Sequence, residues 1–328
     1  MPSRSSSCGR WSLCNFRALA RWPQLLIVLA LLGATAAAFA VTERLKLERS
    51  PITGTRVDRI FSPVCECARD VASISFVLRR KETVTLSLLD ENGRSVSTIV
   101  QKRREPAGRV TYMWDGRDRF DHVVPEGRYR PRVQLERNGR TIVLPNPIRV
   151  DTTAPRITLV RVEPRVFSPD SDGRRDRIVA TYTIDEPARA TMLVDGRRRV
   201  LGKFSRQRGS LTWFGHFLGD PARPGTYEIR LRAIDRAGNR SMRTRAVLVL
   251  VRYVALSRER IEAVAGKRFS VRVLTDADSY RWLFAGRRGV GRRQVLVLRA
   301  PDVPGPYTLY VTVSGRAAPA AVDVRAPQ

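Results

Sequence analysis

Three carboxylates, Asp170, Asp172 and Asp176, fall close together in Phe167-Ser168-Pro169-Asp170-Ser171-Asp172-Gly173-Arg174-Arg175-Asp176. A turn that gathers them would offer the hard oxygen ligands that Ca²⁺ takes. The segment lacks the full ligand ladder and closing glutamate of an EF-hand loop. Asp and Gly equally serve plain turn chemistry, in which side-chain oxygens accept backbone N–H groups. Both readings stay open, and Ca²⁺ is the one cofactor the residues suggest. A second segment, Phe61-Ser62-Pro63 through Arg69-Asp70, repeats the phrase but keeps only Glu66 and Asp70 of the carboxylates. There Cys65-Glu66-Cys67 forms a C-x-C that outside the cell could close a tight disulfide, cross-link a second chain or mark a redox site. Closing a ring across one residue is disfavoured by ordinary disulfide geometry. Structural bridging, within or between chains, is the expectation ahead of catalysis.

Nothing else in the inventory suggests catalysis. The two histidines, His122 and His216, sit in turn-like contexts without obvious partners. No H-E-x-x-H, no G-x-S-x-G and no phosphate-cradling glycine loop is present. An enzyme is not expected, although carboxylates paired in space stay invisible to a linear reading.

The elements that position these residues are strands. After the first F-S-P phrase, Ala72–Leu78 and Thr83–Leu89 alternate or run apolar with β-branched enrichment. Asn92-Gly93 supplies a hairpin turn before Val96–Val100. Val110–Trp114, Tyr129–Leu135 and Thr141–Leu144 follow, the last pair joined by Asn138-Gly139. The second phrase opens the same order: Ile178–Ile184 and Ala190–Val194 align without a gap to the first two strands. Leu211-Thr212-Trp213-Phe214 matches Val110–Met113, and Pro224-Gly225-Thr226-Tyr227 matches Glu126-Gly127-Arg128-Tyr129. Agreement in order, spacing and strand period marks an internal repeat. A third β unit of a different cut follows, with Arg268–Leu274, Tyr280–Trp282, Val295–Leu298 and a Pro304-Gly305-Pro306-Tyr307 turn. Trp114, Trp213, Trp282, Tyr129, Tyr227 and Tyr307 recur at matched positions and read as core packing with corner-type hydrogen bonds.

The phrase from Phe167 to Asp176 resembles the opening of the Ig-like domain named after the flagellar hook-capping protein FlgD, which begins F-[ST]-P-N-x-D-G-x-x-D and closes on P-G-x-Y. Ala233-Ile234-Asp235-Arg236-Ala237-Gly238-Asn239 is similar to an A-x-D-x-A-G-N ending common in bacterial Ig-like domains. The resemblance covers the two repeats and implies tandem antiparallel sandwiches that act as spacers or interaction modules. Val64, Cys65 and Cys67 depart from it in the first repeat.

Before the repeats, Gln24–Val41 carries no charge, Arg4, Arg10, Arg17 and Arg21 precede it, and Glu43, Arg44 and Lys46 follow. Eighteen residues at 1.5 Å rise span roughly 27 Å, enough for a bilayer core. The upstream arginines predict a single pass with the N-terminus inside and the bulk of the chain outside the cytoplasm, at the cell membrane. Ala38-Phe39-Ala40 offers the rival, a signal peptide cleaved after Ala40. Cys8 and Cys14 lie before this segment and would stay reduced. The expected organisation is all-β behind one transmembrane helix: 1–23 basic cytoplasmic, 24–42 anchor or signal, 43–56 stalk, 57–150 and 151–252 the two FlgD-like domains, and 253–328 a third Ig-like domain.

The 328 residues hold 55 arginines and five lysines against 31 acidic residues, a net charge of +29. An anionic wall polymer, lipid headgroups or another envelope protein would suit that charge. Arginine is nevertheless spread along the whole chain, as a codon bias would spread it. Nucleic acid is disfavoured: there is no zinc-finger spacing and no basic helix interleaved with stacking aromatics. The expected function is a non-enzymatic, membrane-anchored envelope protein whose modules act as stalk or interaction domains. The alternative is a secreted basic binder of anionic polymer or polysaccharide.

Overall fold

The structure, a computed structural model, describes residues 22–47, 50–137, 139–205 and 208–327. The basic segment 1–21 with Cys8 and Cys14, and Asn138 of the expected hairpin, lie outside them. A helix, α1, runs over Trp22–Leu47, with side chains described for 25–40. Among the described residues no helix is long and apolar enough to cross a membrane. The large apolar residues of α1 are open to solvent all round, from Val28 at 54% exposed to Phe39 at 67%.

Three sandwiches follow, each with its own core. In domain 1 a three-stranded sheet orders Ile52–Val57, Ala72–Leu78 and Gly108–Trp114. It faces a sheet ordered Ile60–Phe61, Ile148–Val150, Gly127–Leu135, Glu82–Leu89 and Ser95–Glu105, with Arg140–Val143 added to Gly127–Leu135. Domain 2 repeats the plan with Ile157–Glu163, Ile178–Ile184 and Arg208–Trp213 against Val166–Phe167, Val247–Val251, Gly225–Ile234, Ala188–Val194 and Arg197–Ser205. Domain 3 follows it again, with Ala255–Leu256, Arg268–Leu274 and Val295–Arg299 against Arg260–Val264, Arg316–Arg325, Gly305–Val313, Tyr280–Phe284 and Arg287–Gly291.

Alternation drives this. In Ile178–Ile184 every second residue is buried, and Gly108–Trp114 buries Val110, Tyr112 and Trp114 while exposing the residues between. The period of two places one set of side chains between the sheets and the other in solvent. The pairings are antiparallel except one in each domain. There the second strand lies parallel to the closing one: Ile60–Phe61 on Arg149–Val150, Val166–Phe167 on Leu250–Val251, and Arg260–Val264 on Ala321–Arg325.

Two expectations change. Residues 52–56, read as stalk, belong to the first strand of domain 1, and Ile52 joins its core. The register shift between Thr53 and Arg56, with Gly54 at φ 57°, breaks the alternation that would have revealed that strand. Residues 43–47 continue the helix. Trp282, expected in the core, is half-buried against its margin, and Phe284 takes the central place.

Candidate functional site: the two domain joints

Each F-S-P phrase begins at the hydrophobic centre of its own domain. Phe61 and Phe167 are 1% exposed, with rings 5.4 Å from Trp114 and 5.6 Å from Trp213. Trp114 and Trp213 in turn meet Tyr129 and Tyr227 edge-on at 5.2 and 5.8 Å. Tyr129, Tyr227 and Tyr307 each donate a hydroxyl hydrogen bond to the carbonyl four residues earlier, on Pro125, Arg223 and Val303. The loops then close alike: Ser62 N–H donates to Arg69 C=O at 3.1 Å, and Ser168 N–H to Arg175 C=O at 3.2 Å. The core thus fixes one end of each loop, and the rest reaches the next domain.

At the first joint Cys65 and Cys67 are bonded to each other. Glu66 between them adopts φ 47°, which turns the chain back within one residue. The sulfurs rest on Gly238 of domain 2, where a Cβ would stand 2.5 Å from Cys67 Sγ and 3.2 Å from Cys65 Sγ. Only glycine permits that approach, and its φ of 106° also suits no side chain. Beside it the Arg69 guanidinium donates to the Arg236 carbonyl. Asn239, 3% exposed, donates its Nδ2 to the Asp151 carbonyl and to Asp235 Oδ2, both at 2.8 Å. Asp235 Oδ1 accepts the Gly238 and Asn239 amides at 2.7 and 2.9 Å. The A-x-D-x-A-G-N segment is therefore a buried knot that carries the joint.

Sequence reasoning did not gather the carboxylates here. Asp151, Glu186 and Asp235 bring oxygens within 4.8 Å of one another. Burial pushes Asp151 above the usual carboxylate range and Asp235 and Glu126 add to it, with Arg149, 3.2 Å away, opposing. Burial, then Asp151, Asp235 and Asp185, raise Glu186. Such a trio can share a proton or hold a divalent cation. The linker is pinned as well: Glu126 accepts from the Thr152 amide and from the Thr152 and Thr153 hydroxyls at 2.7–2.8 Å, which holds its carboxyl below the usual range.

At the second joint the loop of domain 2 meets domain 3 through polar groups. Ser168 donates its hydroxyl to Asp276, Asp170 Oδ2 accepts from Ser314 Oγ at 2.9 Å, and Arg174 pairs with Asp278 at 2.7 Å. Tyr253 between the domains donates to the Ala222 carbonyl and accepts at its own carbonyl from Thr275 Oγ1, both 2.8 Å. Asp170, Asp172 and Asp176 also lie within 4.8 Å of one another. Asp176 accepts the Ser171 and Gly173 amides and Asp172 accepts the Arg174 amide, at 2.7–2.8 Å, so these two close the turn itself. Asp170 Oδ1 is buried and has no hydrogen-bond partner, and burial raises its carboxyl. His122 stays exposed 4.0 Å from Asp118, and His216 accepts the Trp213 indole N–H at its backbone carbonyl.

Residues 69–139 match the family model of the FlgD Ig-like domain. No curated protein matches the chain. Among solved structures it is similar to fibronectin(III)-like modules of Clostridium thermocellum CbhA, at 17% identity over 61% of this chain and 94% of that one, TM-score 0.35. It is similar also to an I-band fragment from titin, at 10% identity over 85% and 100%, TM-score 0.31. A 1.5-MDa bacterial ice-binding adhesin aligns at 12% identity over 85% and 100%, TM-score 0.28. The chain is an all-β tandem array of Ig-like sandwiches, similar across residues 69–139 to the FlgD Ig-like domain.

Proposed function

We propose that the chain is a non-enzymatic, membrane-anchored envelope protein whose jointed domains form a stalk or interaction module outside the cytoplasm. What supports this reading is the uncharged run Gln24–Val41 with Arg4, Arg10, Arg17 and Arg21 before it; the described part of α1 is by itself not long and apolar enough to cross. The large apolar residues described in α1 are all exposed, which suits a helix that lies against lipid. The uncharged run extends past the described side chains, from Gln24 to Val41. The joints support the stalk: the linkers are short and hydrogen-bonded, and buried groups cross from one domain to the next.

The test is protease accessibility of a C-terminal tag on intact cells, with the membrane-fraction band sized against the full chain. A digestible tag on a full-length membrane band is the expected result. A soluble product beginning at Val41 would establish the secreted alternative. A protected tag in cells that lack an outer barrier would overturn the topology.

A further inference from the structure

The surplus of arginine is not laid down evenly at equivalent places. The loop 79–81, Arg-Arg-Lys, links Ala72–Leu78 to Glu82–Leu89. Thr83 pairs with Arg104 across the sheet, and Thr83 C=O accepts the Glu136 amide at 3.1 Å. These pairings put the loop 79–81, Lys102–Arg104 and Arg137 at one pole of domain 1, all of them exposed. The acids nearby pair with two of them, Glu105 with Arg103 at 2.9 Å and Glu136 with Lys102 at 3.7 Å. Glu82 and Glu105 are 3% and 7% exposed, which leaves Glu136, 3.7 Å from Lys102, as the exposed carboxylate of these segments. This pole is where the chain arrives from α1: the Arg79 amide donates to Pro51 C=O at 3.1 Å and its Nε to Ser50 C=O at 2.8 Å. Ser50 follows the last helical residue, Leu47, by three positions, a reach of at most ~11 Å.

The matching loop of domain 2 has the opposite sign. With Ile178–Ile184 laid on Ala72–Leu78, Asp185-Glu186-Pro187 stands where Arg79-Arg80-Lys81 does. The strand pairings likewise set Asp235 at the place of Arg137. In domain 3 the corresponding loop is Thr275-Asp276-Ala277-Asp278. This loop is acidic where it receives a preceding domain and basic where it receives the apolar helix, although the neighbouring strand ends carry cations in domains 2 and 3 as well, Lys203 in one and Arg292 and Arg293 in the other.

We propose that the basic pole of domain 1 is a docking surface for anionic lipid headgroups, which holds the first sandwich down on the bilayer that α1 enters. This rests on the anchored reading. A cation beside an anionic membrane strengthens partitioning by about fivefold, and the surface is screened beyond about one Debye length.

The test uses the full chain in nanodiscs of phosphatidylcholine alone and of phosphatidylcholine mixed with phosphatidylglycerol, with hydrogen exchange followed by mass spectrometry. Exchange in 79–81 and 102–104 should slow on the anionic discs and recover in high salt. The variant carrying Arg80→Gln, Lys81→Gln and Arg104→Gln, which spares the Arg103–Glu105 pair, should lose the protection with its melting temperature unchanged. Equal exchange on both discs, with the chain resisting alkaline carbonate, would overturn the docking surface and leave the anchor standing. A chain stripped from both discs by carbonate would overturn the anchor and the docking surface with it. Protection on neutral discs by soluble polyphosphate, matched by none from phosphatidylglycerol, would assign the pole to a polymer and overturn the lipid assignment.

Discussion

The two F-S-P loops do one job with different chemistry. In domain 1 the loop sets a disulfide against the bare backbone of Gly238, a close apolar contact backed by hydrogen bonds to buried main chain. In domain 2 the loop sets hydroxyl, carboxylate and guanidinium groups against Asp276, Ser314 and Asp278. What the loops share is the anchorage of Phe61 and Phe167 in their own cores and the same backbone closure. The fold therefore dictates where the joint forms and leaves its composition free. A joint seated by sulfur on glycine is sensitive to thiols, whereas the second, with its exposed Arg174–Asp278 pair, is sensitive to salt and not to thiols.

Three changes would break or sharpen that contrast. Gly238→Val has the largest expected effect, since the new side chain collides with the sulfurs and strains a backbone at positive φ. A loss of about 2–4 kcal/mol is expected, and scattering from the full chain should show bending at the first joint with the second intact. Retained length and stability would mean that the sulfurs do not seat the joint. Replacing Cys65 and Cys67 by serine comes next. Freeing so small a loop costs ~1.5 kcal/mol by chain entropy, and reductant should reproduce the loss in the native chain and do nothing further to the variant. A reductant effect on the variant would move the thiol sensitivity elsewhere.

The smallest effect is that of pH. Asp151 and Glu186 have folded-state pKa values above their unfolded ones, so the docked protein binds their protons more tightly. The stability this adds is complete below the unfolded values, about 4, and is lost as pH rises through the raised ones. The first joint should tighten as pH falls from neutral toward that window, by a few °C in melting temperature at most. Asp151→Asn should flatten the profile. A profile as steep in that variant as in the native chain would exclude Asp151 as the source.

Many strands could be read from the sequence because burial on one face writes a period of two into it, but Ile157–Glu163, Arg197–Ser205, Val247–Val251, Arg260–Val264 and Arg316–Arg325 went unread. The strand Ile52–Val57 escaped because Gly54 bulges it. The joints escaped for another reason. Arg69 meets Arg236, Asn239 meets Asp151 and Asp170 meets Ser314 across 167, 88 and 144 residues, and no local pattern records such contacts. Asp151 read as linker and Asp235 as part of a family ending, and Glu186 passed unnoticed. The one available signal was the gap-free alignment of the repeats, which places Arg79-Arg80-Lys81 over Asp185-Glu186-Pro187. A reversal of charge at matched positions marks surfaces that face different neighbours.

The parallel clasp in each domain bears on tension. When a chain is drawn out by its two ends, a second strand that lies parallel to the closing one is dragged past it lengthwise, so every rung of the clasp is strained together. Domains 1 and 2 close theirs with two residue pairs and domain 3 with five. Under a steady pull, the clasps of the first two sandwiches would part first and pay out slack, while that of the third held.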